Sequence, residues 1–301
     1  MPCSFGNWEL NKLLFAMNLK LKNLLQHLSV DADGIYSSYV TATQDQAAEI
    51  ALRERIAAVH YDNYLDTISR SHSIPVMDYE IDRFLARMPK GSLILDIGGC
   101  WGWHWRRLAT TRPDIGVLII DFVRSNLPHA CNVLGDLVGN QVALMHADAT
   151  ALPFGDNPNF QGFDGVWTVQ AFQHIPAYDK AVAEAYRVLK KGGLFANYSL
   201  NVQGHIRGIK HMLGKDYPIE SWVDGNFWLA RASIEQKRQV ESIFQNAITE
   251  RWSEILYSPE LHFFSPGREG SWLGKLDAML SNNIGFLRYF ASQHSFHSQK
   301  S

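Results

Sequence analysis

Cysteine is scarce in this chain. Its 301 residues include three, Cys3, Cys100 and Cys131, at spacings that match neither a disulfide framework nor a set of metal ligands. That scarcity argues for a reducing, cytoplasmic setting and for a site without a metal. An excess of one charge is missing too. Twenty-eight Lys and Arg face thirty Asp and Glu, a net charge of −2. No overall field would gather nucleic acid or an anionic membrane, and no basic stripe or nucleic-acid module stands out. No apolar run approaches the roughly 18 residues of a membrane-spanning helix. The opening segment MPCSFGNWELNKLLFAMNLKLKNLLQHL breaks its apolar residues with lysines and asparagines and shows no small-residue cleavage site, so it is not a secretion signal. It reads as an amphipathic helix, suited to packing on a domain or to lying on a membrane surface. Repeats and low-complexity tracts are absent.

What the chain does have is apolar material, 46% of its residues, ample for one sizeable core. Residues 1–88 read as a helical extension, with DQAAEIALRERIAAVHYDNYLDTISR and MDYEIDRFLARMPKG at helical spacing. Residues 89–200 alternate. SLILDIG, GVLIIDF, QVALMHADA, FDGVWTV and LFANYSL read as strands, and WHWRRLATTRP, SNLPHACNVLGDLVG and YDKAVAEAYRVLKKGG as the helices between them. Strands alternating with helices imply a parallel sheet covered on both faces, an α/β fold. Residues 201–270 read as an irregular, aromatic cover followed by a helix, SIEQKRQVESIFQNA, and a sixth strand, ITERWSEILY. Residues 271–301 add a helix, WLGKLDAMLSN, and a seventh strand, GFLRYFASQHSF, before a frayed HSQKS tail.

The first strand of the alternating region ends in LDIGGCWG. In a parallel sheet, ligands bind beyond the carboxyl ends of the strands, where strand order reverses. Gly98, Gly99 and Gly102 permit a tight turn and close backbone approach there. The dinucleotide spacing G-x-G-x-x-G is not met, which argues against a nicotinamide or flavin enzyme. Asp96 would repel a phosphate. It suits a cationic amine, or a network of hydroxyls and water.

LDIGGCWG resembles the first motif of class I S-adenosylmethionine-dependent methyltransferases, commonly D/E-x-G-x-G-x-G. Asp96, Gly98 and Gly102 match, and Cys100 stands at the middle glycine, which fits if Gly99 takes the unusual backbone angle. The resemblance extends over roughly residues 60–200. It implies a seven-stranded, mostly parallel sheet and a site for S-adenosylmethionine and its product S-adenosylhomocysteine. In it Asp96, Gly98, Gly99, Trp101 and Gly102 would form the loop. Asp121, with Phe122 after it, would accept both ribose hydroxyls. HADATALPF would place Asp148 and Ala149 at the adenine. FDGVWTVQAFQHIP would place Thr168, Val169 and Gln170 in the crevice and His174 beyond it. Tyr61 and Tyr64 resemble aromatic positions that close over the cofactor.

Methyl transfer from a sulfonium is a direct in-line displacement, so the fold supplies positioning and exclusion of water. An oxygen acceptor also wants a base. His174 is the candidate, because imidazole titrates near neutrality, and the alternative is that it fixes its loop. The cover carries Tyr217, Trp222, Phe227, Trp228, Tyr257, Phe263, Phe264 and Trp272, with His205 and His211, and suits a small-molecule, glycan or lipid-linked acceptor. A homodimer is compatible with the chain. The competing readings are a non-catalytic nucleoside-binding or scaffold protein and, less favoured, aminopropyl transfer, for which the fourth strand end lacks carboxylates.

Overall fold

The computed structural model describes residues 18–38, 63–69, 72–155, 160–201, 220–223, 226–229, 231–256 and 272–301, with scattered positions between 47 and 58. Ten strands are present among them: β1 (Tyr36–Ser38), β2 (Leu93–Ile97), β3 (Gly116–Asp121), β4 (Val142–Ala147), β5 (Phe163–Val169), β6 (Leu189–Leu200), β7 (Glu220–Val223), β8 (Asn226–Leu229), β9 (Thr249–Ser253) and β10 (Gln293–Gln299). Eight build one sheet in the order β1-β4-β3-β2-β5-β6-β10-β9, and β7 and β8 form a separate antiparallel hairpin. Strands β1 to β6 of the large sheet pair in parallel, and β10 runs antiparallel between β6 and β9. Strand order reverses around β2, which lies between β3 and β5.

The strands alternate between two cores, as their period of two requires. Leu93, Leu95, Ile97, Leu118, Ile120, Ala143 and Met145 face one side, where helices α1 (Leu19–Leu25), α6 (Tyr178–Val188) and α7 (Ser233–Phe244) bury Leu21, Ala181, Val182, Val240 and Phe244. Ile94, Val117, Ile119, Val142 and Leu144 face the other side, against α3 (Ile74–Ala86) and α5 (Leu127–Leu134). The sheet is covered on both faces, as the alternation implies. A five-residue helix, α2 (Tyr64–Ile68), precedes α3, and α4 (Leu108–Thr111) is one turn. Helix α8 (Trp272–Asn283) packs on α3 so closely that a Cβ on Gly274 would lie 2.1 Å from the Pro75 carbonyl oxygen.

Several expectations need correction. The large sheet has eight strands, not seven, because β1 lies inside the supposed helical extension and pairs in parallel with the β4 edge, Tyr36 opposite Met145. The turn before it is closed by Asp31, whose Oδ1 accepts the N–H groups of Asp33 (2.9 Å) and Ile35 (3.1 Å). Three residues are too few to show a period. The opening amphipathic segment is described from Asn18 onward, where Asn18 caps α1 and the helix packs on the domain. The tail is not frayed: His297 and Ser298 are buried in β10, while Leu287–Phe290, taken as part of that strand, is a 3₁₀ turn. Cys131 is disulfide-bonded, against the expectation from spacing. No helix among the described residues is long and apolar enough to cross a membrane. Most of the aromatic cover, His205, His211 and Tyr61 also lie outside the described residues.

Candidate functional site

Asp96, Asp121 and Asp148 stand at the carboxyl ends of β2, β3 and β4, three adjacent strands in the sheet. Neighbouring strands lie about 4.8 Å apart, so one ligand about 10 Å across can meet all three. All three carboxylates are buried.

Asp96 is nearly inaccessible, at 1% exposure. Its Oδ2 accepts the Trp105 indole N–H at 2.7 Å, whereas the buried Oδ1 has no hydrogen-bond partner. Burial pushes its carboxyl up to about 7; the Trp105 bond opposes that rise and the nearby Asp121 charge adds to it. A buried acceptor left unbonded is costly. It marks a place for a donor, best a cationic one.

The glycine loop is shaped around this acid. A Cβ on Gly99 would lie 2.3 Å from Asp96 Oδ2, and one on Gly98 would lie 2.2 Å from the Cβ of Ala171. The second contact seats the loop after β2 directly against the loop after β5. Gly98 and Gly102 take positive φ, +70° and +67°, but the third positive angle belongs to Cys100 (φ 51°), not to Gly99 as the sequence suggested. That conformation turns the Cys100 N–H onto Asp121 Oδ2 at 3.0 Å. Asp121 Oδ1 accepts from the N–H of Val123 (2.8 Å) and from Asn126 Nδ2 (3.3 Å). The carboxylate is thereby held rigid. Asp148 Oδ1 accepts the N–H and hydroxyl of Thr150, each at 2.8 Å, and Ala149 is buried beside it. The Phe122 carbonyl accepts from His146 Nε2 at 3.1 Å, which joins the ends of β3 and β4.

The loop after β2 does not open a long helix. Trp103–Trp105 is a 3₁₀ turn, and α4 that follows is a single turn. Arg106 anchors this stretch. Its guanidinium grips buried Asp78 of α3 through two bonds, at 2.9 and 2.8 Å, and Arg107 reaches Asp82 at 2.8 Å. His104 is buried against the Trp103 ring, 4.0 Å between centroids, and burial, His72 and Arg106 hold its imidazole well below the usual range.

On the other side of Asp96, β5 carries Thr168 one residue before its end, and the buried Thr168 hydroxyl has no partner. Gln170 follows with φ 52°; its N–H donates to the Tyr198 carbonyl at 2.7 Å, and its buried Nε2 has no partner. Val169 is partly buried against the second core. His174 closes a 3₁₀ turn, Phe172–His174, with Nε2 3.1 Å from Gln173 Nε2. Tyr64 is brought to the loop as well. Its ring meets Trp101 edge-on at 5.5 Å and its hydroxyl pairs with His129 Nδ1 (3.0 Å) and Asn132 Nδ2 (2.9 Å). Trp105, Ala171 and Asn126 are the parts that the sequence reading missed. Only the aromatic cluster WGWHW signalled any of them. Among the described residues no group of three or more His, Cys, Asp or Glu is placed to hold a metal ion.

A reversed-order parallel sheet with acids at three strand ends and a glycine turn between them defines the class, and the comparisons agree. Residues 95–197 match the family model described as a methyltransferase domain. That segment is similar to a methyltransferase domain, and the chain has the class I methyltransferase fold. The chain is 32% identical over 153 residues to a malonyl-[acyl-carrier protein] O-methyltransferase of Geobacter sulfurreducens, covering 51% of this chain and 53% of that protein. It is 30% identical over 147 residues to a demethylmenaquinone methyltransferase of Listeria welshimeri, covering 48% and 59%. The chain thus spans little more than half the length of these curated relatives. The solved structure of the [4+2]-cyclase SpnF shares the fold, with a TM-score of 0.52, 17% identity, and coverage of 87% of this chain and 97% of that one.

Proposed function

We propose that the chain binds S-adenosylmethionine at the ends of β2 to β5 and transfers its methyl group to a small-molecule acceptor. The observation that carries this reading is the unbonded, buried Oδ1 of Asp96, set between the glycine turn and the loop after β5. A cationic α-amine would satisfy it. Asp121, held by the N–H groups of Cys100 and Val123 and by Asn126, would take the ribose hydroxyls, and Asp148 with Ala149 would meet the adenine edge. Thr168 and Gln170 would complete the amino-acid end, where Gln170 Nε2 can donate to a carboxylate. Tyr64 and Trp101, packed on one another, would cover the loop.

The bound sulfonium would supply an activated methyl group, which leaves sulfur with the electron pair staying behind on it. The chain's own share is to hold the acceptor in line and to keep water out. The acceptor would enter beside β5 and β6, and any proton on its attacking atom would leave to solvent or a nearby base. Both curated relatives carry the names of methyltransferases with different acceptors, which supports methyl transfer more than any one substrate. A small or medium organic molecule, including a glycan or lipid-linked precursor, suits the aromatic composition of residues 201–270 best. The test is incubation with isotopically labelled methyl donor and cell extract, read by mass spectrometry. A labelled small molecule is the expected product; label confined to protein or nucleic acid would overturn the acceptor class, and no label at all would favour a binding protein.

A further inference from the structure

Helix α8 is turned inside out. Its buried face carries small and polar residues, Gly274, Asp277, Ala278 and Ser281. Hydrogen bonds hold it rather than apolar burial. Asp277 accepts the N–H groups of Glu254 at 2.7 Å and Leu256 at 2.8 Å. Asn282 accepts the Trp252 N–H at 3.2 Å and donates to the Trp252 carbonyl at 2.8 Å, which covers the edge of β9. The apolar side chains are left outside. Trp272 and Met279, about two turns apart on one line of the helix, are 68% and 52% exposed, and Ile284 and Phe286 just beyond its end are 42% and 62% exposed. Single exposed apolar residues are ordinary, but a face built of several marks a contact site. Lys275 shares that face and Arg288 follows it, both exposed. Neither forms an ion pair among the described residues: Glu250, whose charge reaches Arg288, is already bonded to Lys237 at 2.7 Å and to His294 at 3.0 Å. The only acid in residues 272–291, Asp277, is buried on the opposite face.

We propose that this face seats the protein on an anionic lipid surface, its four apolar side chains entering the headgroup layer and Lys275 and Arg288 meeting lipid phosphates. Tryptophan and other large apolar side chains with cations beside them are what such an interface takes up. The chain's net charge of −2 gives no general pull toward that surface, so binding needs the apolar side chains as well as the two cations. A second copy suits the face less well. A two-fold contact sets a patch against itself, and here it would set cations against cations with no exposed carboxylate between them. The seat is also well placed. Asn201, which follows β6, donates from Nδ2 to the carbonyls of Arg288 (3.3 Å) and Ala291 (2.9 Å), and its N–H donates to the Ser292 carbonyl at 2.8 Å. The turn beside Phe286 is thus tied to the end of β6, next to the end of β5 where Thr168 and Gln170 stand. A bilayer on this face would lie at that edge of the sheet, and the acceptor would be a lipid or lipid-linked molecule taken from it. The class of acceptor rests on the methyl-transfer reading; the seat does not.

Flotation of the full chain with vesicles tests the seat, with phosphatidylcholine alone set against an equal mixture of phosphatidylcholine and phosphatidylglycerol. The wild type is expected to float with the mixed vesicles, far less with the neutral ones, and less again as salt rises. Met279→Ser combined with Phe286→Ser is expected to weaken binding by about tenfold or more, and Lys275→Glu by a similar factor. These positions are exposed, so both variants are expected to keep the wild-type melting temperature and affinity for S-adenosylhomocysteine. No flotation of a folded wild type, as when another segment of the chain covers this face, would overturn the proposal. So would binding indifferent to phosphatidylglycerol, or binding that both variants keep. A dimer in sedimentation velocity that Met279→Ser with Phe286→Ser dissociates, without vesicle binding, would assign the face to a second copy instead. Should the double variant fail to fold, Lys275→Glu and the salt series decide the matter. Vesicle binding without S-adenosylhomocysteine binding would reject the methyl-transfer reading and leave the seat standing; the reverse would reject the seat alone.

Discussion

Asp96 is the residue on which most depends, and its protonation has a definite sign. Burial raises its carboxyl to about 7, above the unfolded value of 3.8. Between those values the unfolded chain loses a proton that the folded chain keeps. The contribution to stability is therefore full below about pH 4 and is lost as the pH rises toward 7. Ligand binding runs the other way. A cationic amine needs the carboxylate, so affinity for S-adenosylhomocysteine is expected to weaken below pH 7, approaching tenfold per unit, with a proton released on binding. Calorimetry at several pH values, in two buffers of different ionisation enthalpy, measures both. Trp105→Phe deletes the bond that opposes the rise and is expected to lift the carboxyl further and weaken binding at pH 7. Cys100 supplies a second check. A non-glycine residue at φ 51° is strained by about 1–2 kcal/mol, partly offset by the entropy that a glycine would lose. Cys100→Gly is expected to stabilise the protein by up to about 1 kcal/mol in chemical denaturation, and Cys100→Val to destabilise it.

At the scale of elements, buried charge holds helix α3 to the sheet. Glu80, 1% exposed, accepts from Arg251 of β9 at 2.8 and 3.2 Å, from Tyr198 of β6 at 2.9 Å and from Arg83 at 3.2 Å. Removing one partner of such a group strands the others, at a cost of about 3–5 kcal/mol. Glu80→Ala is expected to lose that much in urea melts, and Glu80→Gln less. Tyr198 and Arg251 are 118 and 171 residues from Glu80 in sequence, which is why neither was legible beforehand. The strands were legible because each carries a buried apolar run that ends in a polar residue: LILD, GVLIID, VALMHAD. β1 was not, since three residues have no period. Nor was the 3₁₀ turn at Trp103–Trp105, where an apparent helix gives way to an Asp78–Arg106 clasp and an indole aimed at Asp96.

For the whole molecule, the site is a product of topology. Sequence picked out Asp96, Asp121 and Asp148 as candidates; the order of the strands around β2 sets the strand ends that carry them side by side. The same topology makes the C-terminal strand central, because β10 lies between β6 and β9 and buries Phe296 and His297. Truncation after Ser292 is expected to abolish cooperative unfolding, whereas removal of Lys300 and Ser301 is expected to shift the melting temperature by only a few degrees. The most direct measurement is calorimetric titration of the folded wild type and of Asp96→Asn with S-adenosylhomocysteine at pH 8. Micromolar binding by the wild type, weakened about 10- to 100-fold by the loss of one charged hydrogen bond, is the expected result. Equal affinity in the two proteins, or no binding by a folded wild type, would contradict it.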